Sequence, residues 1–235
     1  LCPELKDSLN EYYKVGSLEN YDEVCRAVDF FKNKLYASVL IVAFIIYSLY
    51  ASYALSSFSF LLTEVYKVNL DTISLMFIPA CISAAIVGAL SGKFSKYFSS
   101  KQCVYLAIAM IILSVFVSIL LIGQPIILFT IIIVIFSCFY AFMYAPLIDI
   151  GLKLVPVENA GTALGFYNLC INIAMSVGFT YSAYFIDKKD LMFSVSSSDL
   201  VNHYAGVLLG VGIVGLVGLL IYHFIVVRIL RKVDR

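Results

Sequence analysis

The chain has 235 residues, is 62% hydrophobic and only 13% charged, and carries a formal net charge of +1. Soluble domains contain about 45–50% apolar and about 25% charged residues. A soluble fold of this length would therefore expose too much apolar surface to water. Such hydrophobicity excludes intrinsic disorder, and the near-zero net charge argues against a nucleic-acid partner. The composition indicates an integral membrane protein.

Residues 1–34 are polar and contain no segment that could cross a bilayer. Four apolar residues recur near their end at helical spacing: Val24, Val28, Phe31 and Leu35. This pattern is typical of an amphipathic helix on the membrane surface, although a linker that enters a spanning helix would show similar apolar contacts. The chain begins Leu1-Cys2 without an initiator methionine, which we interpret as the start of a fragment of a longer protein.

Six apolar segments are long enough to cross a bilayer, which takes about 20 residues. They cover residues 35–62, 73–91, 103–122, 126–148, 162–186 and 204–227. Polar or turn-forming residues separate them, as at Gly123-Gln124-Pro125 between the third and fourth. The sequence therefore predicts an all-α, six-helix transmembrane domain over residues 35–230, followed by a short tail over residues 231–235. We expect membrane lipid to surround this domain.

Lysine and arginine are shared unequally between the two ends of these spans. Ten lie at one end: Lys32, Lys34, Lys93, Lys96, Lys101, Lys153, Arg228, Arg231, Lys232 and Arg235. Three lie at the other: Lys67, Lys188 and Lys189. Because cytoplasmic loops carry the excess of positive charge, we expect both termini in the cytoplasm. Charge does not distinguish a plasma membrane from a lysosomal or vacuolar one.

Four spans have a polar side, whereas the third and sixth are apolar all round and are expected to contact only lipid and other helices. One face of the first span carries Tyr47, Tyr50, Ala54 and Ser57. The fourth span repeats an aromatic residue every four positions, from Phe136 onward. The fifth carries two carboxamides one turn apart, which need hydrogen-bond partners inside a membrane.

Six side chains on these faces are predicted to line a cavity for a small polar solute: Tyr47, Tyr50, Tyr140, Tyr144, Asn168 and Asn172. Two simpler interpretations stay open. Asparagines inside a membrane also bond neighbouring helices, and tyrosines near helix ends pack at the membrane interface.

Little in the sequence favours an enzyme. No charged residue lies near the middle of a span, so the spans offer no proton carrier. His203 and His223 lie towards opposite ends of the last span, which leaves no catalytic dyad for intramembrane proteolysis. The cysteines form no CxxC pair, and there is no glycine-rich phosphate-binding loop. We expect no enzymatic activity, no metal and no cofactor.

Two motifs resemble the major facilitator superfamily. The segment from Gly88 to Lys96 is similar to its glycine-rich basic signature after the second helix of each half, although Gly92 stands where the signature has an acid. Residues 154–166, with the Gly161-Thr162-Ala163 helix start, resemble the loop and penultimate helix of its carboxy-terminal half. Within it, residues 168, 172 and 187 resemble the lysosomal dipeptide-transporter branch, although that branch has a Trp-Pro pair where Ile148-Asp149 stand.

This resemblance implies the carboxy-terminal six-helix half of a secondary transporter, with the substrate held between two halves that rock around it. The partner would be an amino-terminal half or a companion chain, and an amino acid or dipeptide is favoured over a sugar or organic anion. Eight residues would belong to the cytoplasmic gate: Gly88, Gly92, Lys93, Lys96, Asp149, Pro156, Glu158 and Gly161. The alternative is a transport-inactive scaffold or partner subunit derived from a transporter.

Overall fold

The computed structural model describes residues 34–94, 97–188 and 193–227, and the side chains of all of these except 225–227. Several predictions lie outside these ranges: the amphipathic helix around Val24, Val28 and Phe31, the gate residue Lys96, the tail 231–235, and the charges of Lys32, Lys189, Arg228, Arg231, Lys232 and Arg235.

Six long helices account for most of the described residues, and each is long and apolar enough to cross a membrane. They are α1 (Lys34–Glu64), α2 (Leu70–Phe94), α3 (Ser100–Leu121), α4 (Ile126–Leu152), α5 (Ala160–Lys188) and α6 (Asp199–Ile221). The described ranges contain no strand. The predicted all-α membrane fold with six helices is confirmed.

Two of the long helices include or continue into π-helical turns. The middle of α1 is a π-helical segment, Ala51–Ser57, and a second π segment, Tyr222–Val227, continues α6. A short 3₁₀ turn, Val157–Asn159, leads into α5.

The helices alternate in direction, so their ends gather at two levels. At the level where α1 begins, the Tyr36 hydroxyl donates to the Ala163 carbonyl at the start of α5. Also at this level, the Ser100 hydroxyl of α3 donates to Asp149 near the end of α4 at 2.6 Å. We call this the basic end. At the opposite end, the turn between α3 and α4 is held by Tyr66, whose hydroxyl accepts from the Gly123 N–H at 3.0 Å.

Glycines bring α6 close to the centre of the fold. A Cβ at Gly215 would lie 2.5 Å from the Leu49 side chain and 2.9 Å from that of Ile112, and one at Gly212 would lie 2.9 Å from the Phe116 ring. Small residues let helix backbones approach in a membrane, where dispersion contacts replace the hydrophobic effect as the driving force. The glycines therefore fit α6 against α1 and α3, and the buried core extends from there over α4 and α5.

The second helix is the least covered. Its only buried described residues are Ile73, Ala80 and Ser91, and it packs mainly on α4. Gly88 allows this contact, because a Cβ there would be 3.8 Å from Cβ of Ala141. Most of the α2 surface is thus available to lipid or to another protein segment.

Candidate solute-binding site

Tyrosines from three helices meet near the middle of α1 and α4. Tyr47 of α1 is buried, and its ring packs edge-on against Tyr140 of α4, with centroids 5.4 Å apart. The same ring packs edge-on against Tyr167 of α5 at 6.3 Å, and the two hydroxyls lie 3.4 Å apart. Tyr144 lies close enough to interact electrostatically with all three. We call these four residues, together with Tyr50, the tyrosine cluster.

Tyr50 completes the cluster by stacking on α4. Its ring is nearly parallel to that of Tyr140, with centroids 3.8 Å apart, and also stacks on Phe136 at 5.9 Å. On its other side the Tyr50 hydroxyl has the exposed thiol of Cys81, on α2, as an electrostatic neighbour. The cluster therefore touches α1, α4 and α5 directly and reaches α2.

The cluster is covered on one side and open on the other. Tyr47 and Tyr167 are almost fully buried, whereas Tyr144 is 43% exposed. The hydroxyl and ring edge of Tyr144 are thus presented on the open side of the bundle. Phenol groups offer both hydrogen bonds and an apolar ring face, a combination suited to small polar organic molecules.

The side of α5 that does not contact α1 carries a polar row. Asn168, Asn172, Ser176 and Thr180 follow at four-residue spacing and are all exposed. The Asn172 side-chain amide donates to the Asn168 carbonyl at 2.9 Å, and the two hydroxyls donate in the same way to the carbonyls one turn earlier. These bonds leave the remaining amide groups unsatisfied unless they meet water or polar partners. The row is therefore suited to an aqueous path.

A seam of hydrogen bonds joins α1 to α5 on the covered side of the cluster. Ser48 Oγ donates to the Ala174 carbonyl at 2.9 Å, and Ser52 Oγ donates to the Gly178 carbonyl at 2.7 Å. One turn further, the hydroxyls of Ser57 and Ser182 are paired at 2.8 Å. We call these contacts the α1–α5 seam.

The π segment of α1 keeps the seam in register. The α1 serines of the seam, Ser48, Ser52 and Ser57, are spaced four and then five residues apart. Their partners on α5 are spaced four apart throughout. A π turn closes its hydrogen bond over five residues instead of four, so one extra residue of α1 fits into the same rise. This rotates Ser57 away from the face of Tyr50, where regular α-helical spacing puts it, and onto α5.

The predicted gate residues are divided in the structure. Asp149 ties the start of α3 to the end of α4, because its Oδ2 accepts from Ser100 Oγ and, at 2.7 Å, from Lys153 Nζ. Gly88 lies in the α2–α4 contact. The remaining described members, which are exposed, are Gly92, Lys93, Pro156, Glu158 and Gly161.

The electrostatics of the site are those of neutral groups. Every charged residue that the structure describes lies within a turn of a helix end or in a connection. In the same ranges, no group of three or more metal-ligating side chains is assembled. The described residues around the cluster therefore supply hydrogen bonds and ring faces.

Sequence reasoning missed part of this site. Tyr167 was not selected, because the prediction relied on the carboxamide of its neighbour Asn168. Cys81 was not selected because it lies in a span that shows few polar residues. Tyr53, three residues after Tyr50, is buried beside Phe136 and bonded to Ser118. The spacing of the tyrosines was visible, but the helix that each one faces was not.

The comparisons with known proteins gave one match. A family model described as Major Facilitator Superfamily matches residues 15–179, which is more than two thirds of the chain and extends from before α1 into α5. No curated protein and no solved structure matches the chain.

Proposed function

Because the chain belongs to the major facilitator superfamily, a family of secondary transporters, we propose that it forms one wall of the central cavity of a carrier for a small polar solute. An amino acid or dipeptide is the favoured substrate. The tyrosine cluster, beside the polar row of α5, is the observation that carries this proposal. It puts hydroxyls and ring faces near the middle of the spans, where a substrate between two halves would lie.

The arrangement of exposed groups supports a path on this side of the half. Tyr144 and the exposed asparagines Asn168 and Asn172 would leave hydrogen bonds unsatisfied in hydrocarbon. The same groups are useful in a water-filled cavity. Their neutrality means that the ammonium and carboxylate of an amino acid would meet charged partners on the opposite wall, which an amino-terminal half or a companion chain would provide.

We propose alternating access as the mechanism, with the α1–α5 seam as a rigid part of the moving half. Three hydroxyl contacts along the seam would have to break for α1 and α5 to slide past each other. The helices α1 and α5 would therefore move together as one rigid unit during rocking. The link from Ser100 to Asp149 lies at the basic end, in a position to open and close with the cytoplasmic gate.

The distribution of charge supports one orientation in the membrane. At the basic end the described residues include four lysines and two acids, whereas the opposite end has two lysines and four acids. Since positive loops stay in the cytoplasm, we propose that the basic end, with the beginning of α1 and the end of α6, faces the cytoplasm.

Uptake by the protein with its complete second half, in proteoliposomes, tests the site. Labelled amino acids and dipeptides would be compared with hexoses and organic anions. Tyr144→Phe and Asn172→Ala are expected to lower uptake at least fivefold, since a hydrogen bond to a polar substrate is worth about 1 kcal/mol. Thiol alkylation at Cys81 should be slowed by the transported solute.

Matched controls make the test specific. Tyr105→Phe removes a hydroxyl that is also 43% exposed, but on α3, and Leu169→Ala truncates an exposed side chain of α5 beside the polar row. Both should transport normally. Normal uptake in Tyr144→Phe and Asn172→Ala would remove the site assignment. No uptake of any solute class by the folded wild-type protein would favour the scaffold interpretation.

A further inference from the structure

A cavity lies on the opposite side of α4 from the tyrosine cluster. It has a volume of about 560 Å³ and is lined by side chains of α2, α3 and α4 and by Phe98 of the connection between α2 and α3. Cys138 and Phe142 contribute to its wall. Each is two residues from Tyr140, and two residues of an α-helix turn through about 200°, so they face away from the cluster. The cavity is therefore separate from the proposed solute path.

The wall of this cavity is apolar and aromatic. Phe94, Phe98, Phe139 and Phe142 contribute rings, and Phe94 and Phe142 meet edge-on with centroids 5.8 Å apart. Gln102 is the one side chain with an amide among the lining residues. Phe94 and Phe98 are about half exposed, so the cavity opens sideways at their level. Its size is within the range of about 300–1,000 Å³ found for ligand pockets.

The cavity extends from the basic end towards the middle of the bundle. From Phe94 it reaches Val87, seven residues back along α2, which is about 10 Å of helix. That length is about a third of the hydrocarbon thickness of roughly 30 Å, and on α4 the wall reaches Cys138, near the middle of that helix. Lys93 is exposed next to Phe94, and Lys101 precedes Gln102. No acidic residue is among the lining residues that the structure describes.

We propose that this cavity binds one acyl chain of an anionic phospholipid, whose headgroup is held at the membrane surface by Lys93. The apolar depth matches a hydrocarbon chain and the positive rim matches a phosphate-bearing headgroup. Anionic lipids are concentrated in the cytoplasmic leaflet, where basic pockets between helices bind their headgroups. The occupant is a lipid of the surrounding bilayer, and the site would couple the α2–α4 contact to lipid composition.

These 235 residues contain no tryptophan, so the signal of one introduced here is read as the difference from the protein without it. Phe142→Trp puts one fluorophore in the cavity wall, and Ile213→Trp puts one on the exposed surface of α6. Each protein is placed in phosphatidylcholine nanodiscs containing a tenth of either brominated phosphatidylserine or brominated phosphatidylcholine. We expect the serine lipid to quench Phe142→Trp at least threefold more strongly than the choline lipid. At Ile213→Trp the two lipids should quench equally.

The role of Lys93 is tested in the same tryptophan variants. A surface lysine contributes about 1 kcal/mol to anionic lipid binding, or about a fivefold change in affinity. Lys93→Gln should therefore remove most of the preference at position 142, whereas Lys93→Arg should keep it. Lys67→Gln, at the opposite end, should leave it unchanged. Equal quenching by the two lipids, a preference that survives Lys93→Gln, or the same preference at position 213 would overturn the proposal. Leu106→Trp, in the same wall, replaces the first probe if Phe142→Trp does not fold.

Discussion

The contact of α5 with α1 at Gly178 leads to a sharp prediction about stability. Gly178 lies against the backbone of Ser48. A Cβ there would be 2.7 Å from both the carbonyl carbon and Cα of Ser48, and closer still to its oxygen. A side chain rotates away from such a clash, but backbone cannot, so Gly178→Ala has to push the two helices apart.

The cost can be worked from two contributions. Overpacking a tight contact costs about 1–3 kcal/mol, and a rigid backbone neighbour puts this site at the upper limit. Separation also weakens the bonds from Ser48 to Ala174 and from Ser52 to Gly178, and hydrogen bonds between helices in membranes average about 0.6 kcal/mol each. We therefore expect Gly178→Ala to lower the free energy of unfolding by about 4 kcal/mol.

Reversible unfolding in mixed micelles, or thermal unfolding in mild detergent, measures this loss. Gly165→Ala is the matched control, because it lies on the same helix with no atom within 4 Å of its new Cβ, and alanine favours a helix over glycine by up to about 1 kcal/mol. Ser48→Ala should not rescue Gly178→Ala, since the clash is with backbone. Equal stability of Gly178→Ala and Gly165→Ala would refute the close contact of α1 and α5.

Two further predictions concern the helix ends. Tyr66→Phe should cost about 1 kcal/mol and speed hydrogen exchange at Gly123, whereas Tyr97→Phe, at a residue 84% exposed, should do neither. Burial raises the pKa of Tyr66, so its contribution should be complete below about pH 10 and lost as the pH rises further; a difference between wild type and Tyr66→Phe that grows at alkaline pH would contradict this. Ser100→Ala should loosen the link to Asp149 and cost about 1 kcal/mol, and Ser100→Thr, which keeps the hydroxyl, should restore it. Thermal unfolding measures this cost. If Ser100→Ala and Ser100→Thr both unfold at the wild-type temperature, the reasoning is wrong.

Much of the fold was predictable because it depends on local properties of the chain. An apolar run of about 20 residues forms a helix in a membrane regardless of what surrounds it, since its backbone must satisfy its own hydrogen bonds. The six spans and the superfamily resemblance carried by residues 88–96 and 154–166 followed from such runs and motifs, and the family match at residues 15–179 confirms that resemblance.

The candidate site was predictable only in part. Tyr47, Tyr50 and Tyr140 were visible as polar interruptions of apolar helices, and the structure brings them into contact. Tyr167 was not recognised because its importance comes from facing Tyr47 on another helix. Whether the cluster binds a solute is a prediction that uptake measurements have to test.

The sequence by itself determined that this protein is a membrane-embedded bundle and which helices are polar, because hydropathy and helical periodicity are written along the chain. Only the tertiary structure decided how α1 meets α5. The π segment Ala51–Ser57 adds one residue to α1 so that its serines stay opposite carbonyl and hydroxyl groups spaced four apart. That adjustment matches α1 to a second helix, more than 100 residues away in sequence, which offers hydrogen bonds at a fixed spacing.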